Sequence, residues 1–159
     1  AIGSDTLSLE DRLVNRGFGD AEYCLLYHVN VGYPMLNEGA KVEAKVLENT
    51  TRTPWSEQHK ATFLDMESPL PCKEETCYFL KLAEPKVSLA NKKNGKRFTL
   101  AYSGDTLPAF IEWKSMACGD YALGLEPATT YLDDKFAYKT LAPEEEVTFS
   151  LRFTVSEIN

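Results

Sequence analysis

The 159-residue chain has only two histidines, His28 and His59, and its four cysteines include no pair at two-residue spacing. A zinc knuckle or dithiol redox site needs such clustering, so neither is expected. Cys72 and Cys77 are near enough to meet across a turn, but Cys24, Cys72, Cys77 and Cys118 read best as reduced thiols of a cytoplasmic protein. No apolar run approaches the length of a bilayer span, and the first residues lack a basic segment followed by a hydrophobic one. Membrane insertion and secretion are therefore not indicated. Positive charge is also short: 17 Lys and Arg stand against 24 Asp and Glu, a net charge of −7. Nucleic acid requires a basic face, so it is not an expected partner. The one basic cluster, Lys92, Lys93, Lys96 and Arg97 around Asn94-Gly95, reads as a solvated hairpin tip.

No convincing long amphipathic helix or repeat is visible either, and every well-defined segment has a period of two. At 43% hydrophobic and 26% charged residues, the chain is long enough for one core and too short for two comfortable domains. Leu7, Leu9 and Leu13 alternate in a first strand over 6–14, closed by Asn15-Arg16-Gly17, with a loop from there to Tyr23. Residues 40–46 alternate small apolar with charged side chains. A helix competes there because Val42 and Val46 are four apart, but the clean alternation favours a strand. Residues 48–71, with Thr53-Pro54-Trp55 and Ser68-Pro69-Leu70-Pro71, form the least regular part. Further strands are expected at 77–80, 110–114 and 147–155, and a hairpin joins 86–90 to 97–102 through Asn94-Gly95. These features predict an all-β fold, a single antiparallel β-sandwich domain over 1–159.

Two stretches carry polar groups where an apolar strand would not need them. In 25–36, His28 and Asn30 alternate with Leu, Val and Tyr before Gly32, Tyr33 and Pro34 break the pattern. This predicts a buried strand whose polar groups face either a ligand or a structural hydrogen-bond network. In 119–130 a short apolar run ends on Glu126, and Pro127, lacking an amide donor, is expected to stop the strand there. One imidazole and one carboxylate at the lips of apolar strands are the groups that acid–base catalysis on an uncharged substrate requires.

The run Tyr27-His28-Val29-Asn30-Val31-Gly32-Tyr33-Pro34, followed by Leu123-Gly124-Leu125-Glu126-Pro127, resembles the C-terminal half of the aldose 1-epimerase (galactose mutarotase) family. The likeness is closer to a bacterial branch that reads Tyr-His-x-Asn-x-Gly-Tyr-Pro where the better-known enzymes have Asn-His-x-Tyr-Phe-Asn. Residues 108–114 and 141–145 extend it across nearly the whole chain. The resemblance implies half of a mutarotase-like supersandwich, a small sugar as partner, and no cofactor. It makes Glu126 the general base on the anomeric hydroxyl and His28 the general acid on the ring oxygen, facing each other across room for a sugar ring. Asn30, Tyr33, Trp113 and Lys114 would hold hydroxyls or stack on the ring. Tyr27 and the pair Pro127-Ala128 depart from the better-known motifs, which leaves the sugar open. Family members are about twice as long, and their upstream half adds a His and an Arg to the cleft. The chain is thus expected to be a C-terminal or truncated form with weak activity, its exposed strand edges inviting pairing between chains. A non-catalytic carbohydrate-binding module and a ligand-free structural sandwich are the other readings.

Overall fold

The computed structural model describes residues 3–158. Its strands are β1 (Thr6–Val14), β2 (Ala21–Tyr23), β3 (Val29–Val31), β4 (Lys41–Glu43), β5 (Val46–Thr51) and β6 (Thr76–Leu82). They continue as β7 (Lys86–Asn91), β8 (Lys96–Tyr102), β9 (Ala109–Ser115), β10 (Ala122–Ala128), β11 (Lys139–Leu141) and β12 (Glu146–Glu157). A single helical turn, α1 (Pro54–Gln58), follows β5, started by the Thr53 side chain accepting from the Ser56 amide and by Pro54 in the first turn.

Two five-stranded antiparallel sheets, ordered β1-β12-β8-β7-β4 and β3-β10-β9-β6-β5, form the predicted sandwich, with β2 and β11 as a separate ribbon. The alternation read in the sequence fills the space between them. Val42, Leu89, Leu100, Phe149 and Leu151 from the first sheet meet Tyr78, Leu80, Phe110, Leu123 and Leu125 from the second. Each such side chain, fully removed from water, contributes about 1.5–3 kcal/mol. Among the described residues no helix is long and apolar enough to cross a membrane.

Four expectations change in the structure. The single strand predicted over 40–46 is two, because the chain crosses between sheets at Ala44-Lys45. Val42 is buried against β7, whereas Val46 pairs with β6 through a bulge before Glu48. The loop expected up to Tyr23 contains β2, whose partner β11 lies more than a hundred residues away, and three residues are too few to show a period. The His28 stretch is not a buried strand but an edge: only Val29–Val31 pair regularly with β10, and His28 and Asn30 are exposed. Finally, β10 runs through Pro127. That residue's carbonyl accepts from the Tyr27 amide, so its missing N–H points the same way, toward the irregular edge and away from the β9 ladder.

The sandwich is open along one side. Leu7, Leu9 and Leu13 share a face with Phe153, Leu151 and Val147 of β12, yet Leu7 is 66% exposed. The facing edge, β3, is only 3 residues long. An apolar groove of about 620 Å³ remains, lined by Leu7, Val29, Val31, Met35, Phe98 and Phe153.

Candidate functional site

Successive side chains on a strand point to opposite faces. On β10, Leu123 and Leu125 therefore enter the core while Gly124 and Glu126 lie on the outer face of the second sheet. The register sets Asn30 of β3 beside Gly124, Gly124 beside Trp113 of β9, and Trp113 beside Cys77 of β6. His28, two residues before Asn30, falls on the same face. There its Nε2 lies 3.0 Å from Glu126 Oε1, the imidazole 46% exposed and the carboxylate only 5%. The pair foreseen from two distant motifs is thus brought together, but in direct contact, so a sugar ring would lie over the two groups and not between them.

The contact is one of proximity without alignment: Glu126 Oε1 is buried and accepts no well-directed hydrogen bond. Its accepting capacity is left unused. Burial pushes the Glu126 carboxyl above the ordinary carboxylate range; the charges of His28 and Arg52 pull it back, and Glu75 pushes it up again. A carboxyl raised in this way is a stronger base than a solvated one.

Gly124 makes this arrangement fit. A Cβ at position 124 would come within 2.4 Å of Glu126 Oε1 and 3.2 Å of His28 Cε1. Trp113 forms one wall: its ring meets the imidazole edge to face at 5.6 Å, and its Nε1 donates to Glu75 Oε2 at 2.9 Å. Cys77 is buried beneath it among Phe79, Ala109, Ile111 and Ala128, its thiol pushed up to about 11 chiefly by burial. A thiol held protonated in this manner is not a nucleophile. No group of three or more His, Cys, Asp and Glu side chains is spaced to hold a metal ion among the described residues.

Of the expected site residues, His28, Glu126, Asn30 and Trp113 share the outer face. Tyr33 does not join them: it is 78% exposed beyond the edge strand and lines the apolar groove. Lys114 must be corrected. It points into the core, donating to the carbonyls of Thr62, Phe63 and Asp65 at 3.3, 2.7 and 3.2 Å, so it holds a loop and not a sugar. Trp113 and Lys114 are adjacent on one strand and cannot both serve one face. Gly124, Cys77, Arg52 and Glu75 were not anticipated. The period of two that places Glu126 also places Gly124, whereas Arg52 directly follows β5 and Glu75 directly precedes β6, and no local pattern announces that β5 pairs with β6 and β6 with β9.

Solved structures with this fold include an aldose 1-epimerase candidate from Klebsiella pneumoniae. It is 24% identical, has a TM-score of 0.89, and matches 96% of this chain and 43% of that one. A candidate of the same kind from Escherichia coli K12 is 15% identical, with a TM-score of 0.67 over 97% of this chain and 57% of that one. A galactose mutarotase-like protein from Clostridium acetobutylicum is 12% identical, with a TM-score of 0.65 over 95% and 52% respectively. The chain therefore has the galactose mutarotase-like sandwich and spans about half the length of the solved relatives it matches. Among curated proteins, none matches it in sequence. Residues 1–155 match the family model described as a domain of unknown function, DUF4432, and the chain is a member of that family.

Proposed function

We propose that this chain carries the acid–base pair of a sugar mutarotase, the observation behind it being the 3.0 Å approach of an exposed imidazole to a buried, unpartnered carboxylate oxygen. The Glu126 carboxylate takes the proton of the anomeric hydroxyl while the His28 imidazolium gives one to the ring oxygen, and the bond from the anomeric carbon to that oxygen breaks. The aldehyde end rotates and the chain recloses on its other face, which returns both protons to their donors. Each transfer contributes on the order of a hundred- to ten-thousandfold. Trp113 offers an apolar wall for the ring face and Asn30 an amide for a hydroxyl.

The activity is assigned to a longer polypeptide of which this chain is the later portion. The exposed core-facing leucines of β1 and the open groove are what such an arrangement would leave uncovered. By itself the chain is expected to have little or no activity, and its uncovered edges favour pairing between copies. The free thiols Cys24, Cys72, Cys77 and Cys118 favour a cytoplasmic setting.

A carbohydrate-binding module is the rival, favoured by the poor alignment within the pair. Exchange spectroscopy between the anomeric protons of free sugars separates the two. Faster exchange with the full polypeptide than in buffer supports the mutarotase; sugar-induced shifts without faster exchange support the module.

A further inference from the structure

Arg52 follows β5 directly, and its amide donates to the Cys77 carbonyl at 3.1 Å. That bond places it at the end of the cross-strand row Asn30, Gly124, Trp113, Cys77. Residues opposed across neighbouring strands share a face, so Arg52, opposite the outward-facing Cys77, lies on the outer face, and its charge holds down both the Cys77 thiol and the Glu126 carboxyl. Arg52 is exposed, and among the described residues no carboxylate lies within ion-pairing distance of it. By contrast, Lys81 is paired with Glu48 and Lys73 with Glu67, and Glu75, an acid on this face, accepts from the Trp113 indole.

A guanidinium without a carboxylate partner, on the same face as a buried carboxyl, is suited to an anion. Its planar fork matches the oxygens of a carboxylate or phosphate in a way an ammonium does not. It also offsets the repulsion that Glu126 would exert on a negatively charged ligand. From Gly124 to Arg52 the row crosses three strand spacings, roughly 14 Å between backbones. An arginine side chain reaching inward from one end and a ring substituent reaching outward from the other together span that distance. We infer that Arg52 binds the acidic substituent, a carboxylate or a phosphate, of a sugar whose ring rests over Gly124 and against Trp113. This rests on the mutarotase reading and narrows its substrate to acidic sugars.

The test compares kcat/KM for anomer exchange on neutral sugars (glucose, galactose), uronic acids (glucuronate, galacturonate) and a sugar phosphate (glucose 6-phosphate), using the full polypeptide. The natural protein is expected to favour one acidic class over the neutral sugars at least tenfold. Arg52→Ala should cut that acidic-to-neutral ratio at least tenfold, and the class that suffers identifies carboxylate or phosphate. Arg52→Lys, which keeps the charge and loses the fork, should lower the ratio threefold or more, and it answers the question if Arg52→Ala fails to fold. A natural preference for neutral sugars, or an Arg52→Ala loss shared equally by both classes, overturns the inference and leaves the mutarotase reading in place. Exchange accelerated for no sugar of any class overturns the mutarotase reading and this inference together.

Discussion

Glu126 and Glu112 sit on neighbouring antiparallel strands, in adjacent rows of one sheet, and face opposite ways. Both are buried, and burial is the main force raising both carboxyls. Glu112 is enclosed between the sheets opposite Tyr78 and Leu125, with neither oxygen hydrogen-bonded, and it is pushed up to about 8 despite the Lys114 charge. Glu126 has an exposed imidazole at 3.0 Å and, at position 124, no side chain to cover it. Desolvation alone thus shifts a proton in either place; a titratable partner that itself meets solvent is what turns the shift into chemistry.

Removing the clamp on the closed side should have the largest effect on stability. Lys114→Ala leaves three carbonyls of the 62–65 loop without their donor, so a loss of roughly 3–5 kcal/mol is expected in thermal or denaturant unfolding. Protection from hydrogen exchange at 62–65 should fall with it, and an unchanged melting temperature would deny Lys114 its structural role. On the open side, Gly124→Ala should slow anomer exchange on the order of tenfold to a hundredfold with little loss of fold, since the added Cβ displaces the Glu126 carboxylate. Equal rates would show that the pair tolerates rearrangement.

The smallest effect belongs to Glu112→Gln and depends on pH. The folded-state value of Glu112 is raised from 4.5 to about 8, so its contribution to stability is complete below 4.5 and is lost as pH rises through 8. The amide has no such loss. The variant should therefore gain on the natural protein from acid toward alkaline pH, reaching roughly 1–3 kcal/mol near pH 9 once its own unpaired burial is set against the gain. Parallel stability curves for the two proteins would place Glu112 in contact with water.

The sandwich was legible because its inner faces alternate without interruption. β1 was delimited as the alternation of Leu7, Leu9 and Leu13 implied, and Gly95, with a φ of 69°, sits where the hairpin signal put it. His28 and Glu126 stood out as polar groups at the lips of apolar strands, and the resemblance added their roles, since nothing local ties residues a hundred positions apart. Lys114 misled because a lysine beside a tryptophan looks like a site, whereas alternate facing separates the two. Pro127 misled because its missing donor is harmful only when aimed at a ladder bond. Arg52 and Glu75 were invisible because long-range pairing, not composition, put them beside the site.

The central claim is that the outer carboxylate is catalytic and the inner one is not. Measured side by side by exchange spectroscopy in the full polypeptide, Glu126→Gln should lose at least a hundredfold in anomer interconversion while still binding sugar. Glu112→Gln should match the natural rate. Equal losses in the two variants, or a Glu126→Gln protein as fast as the natural one, would contradict the account.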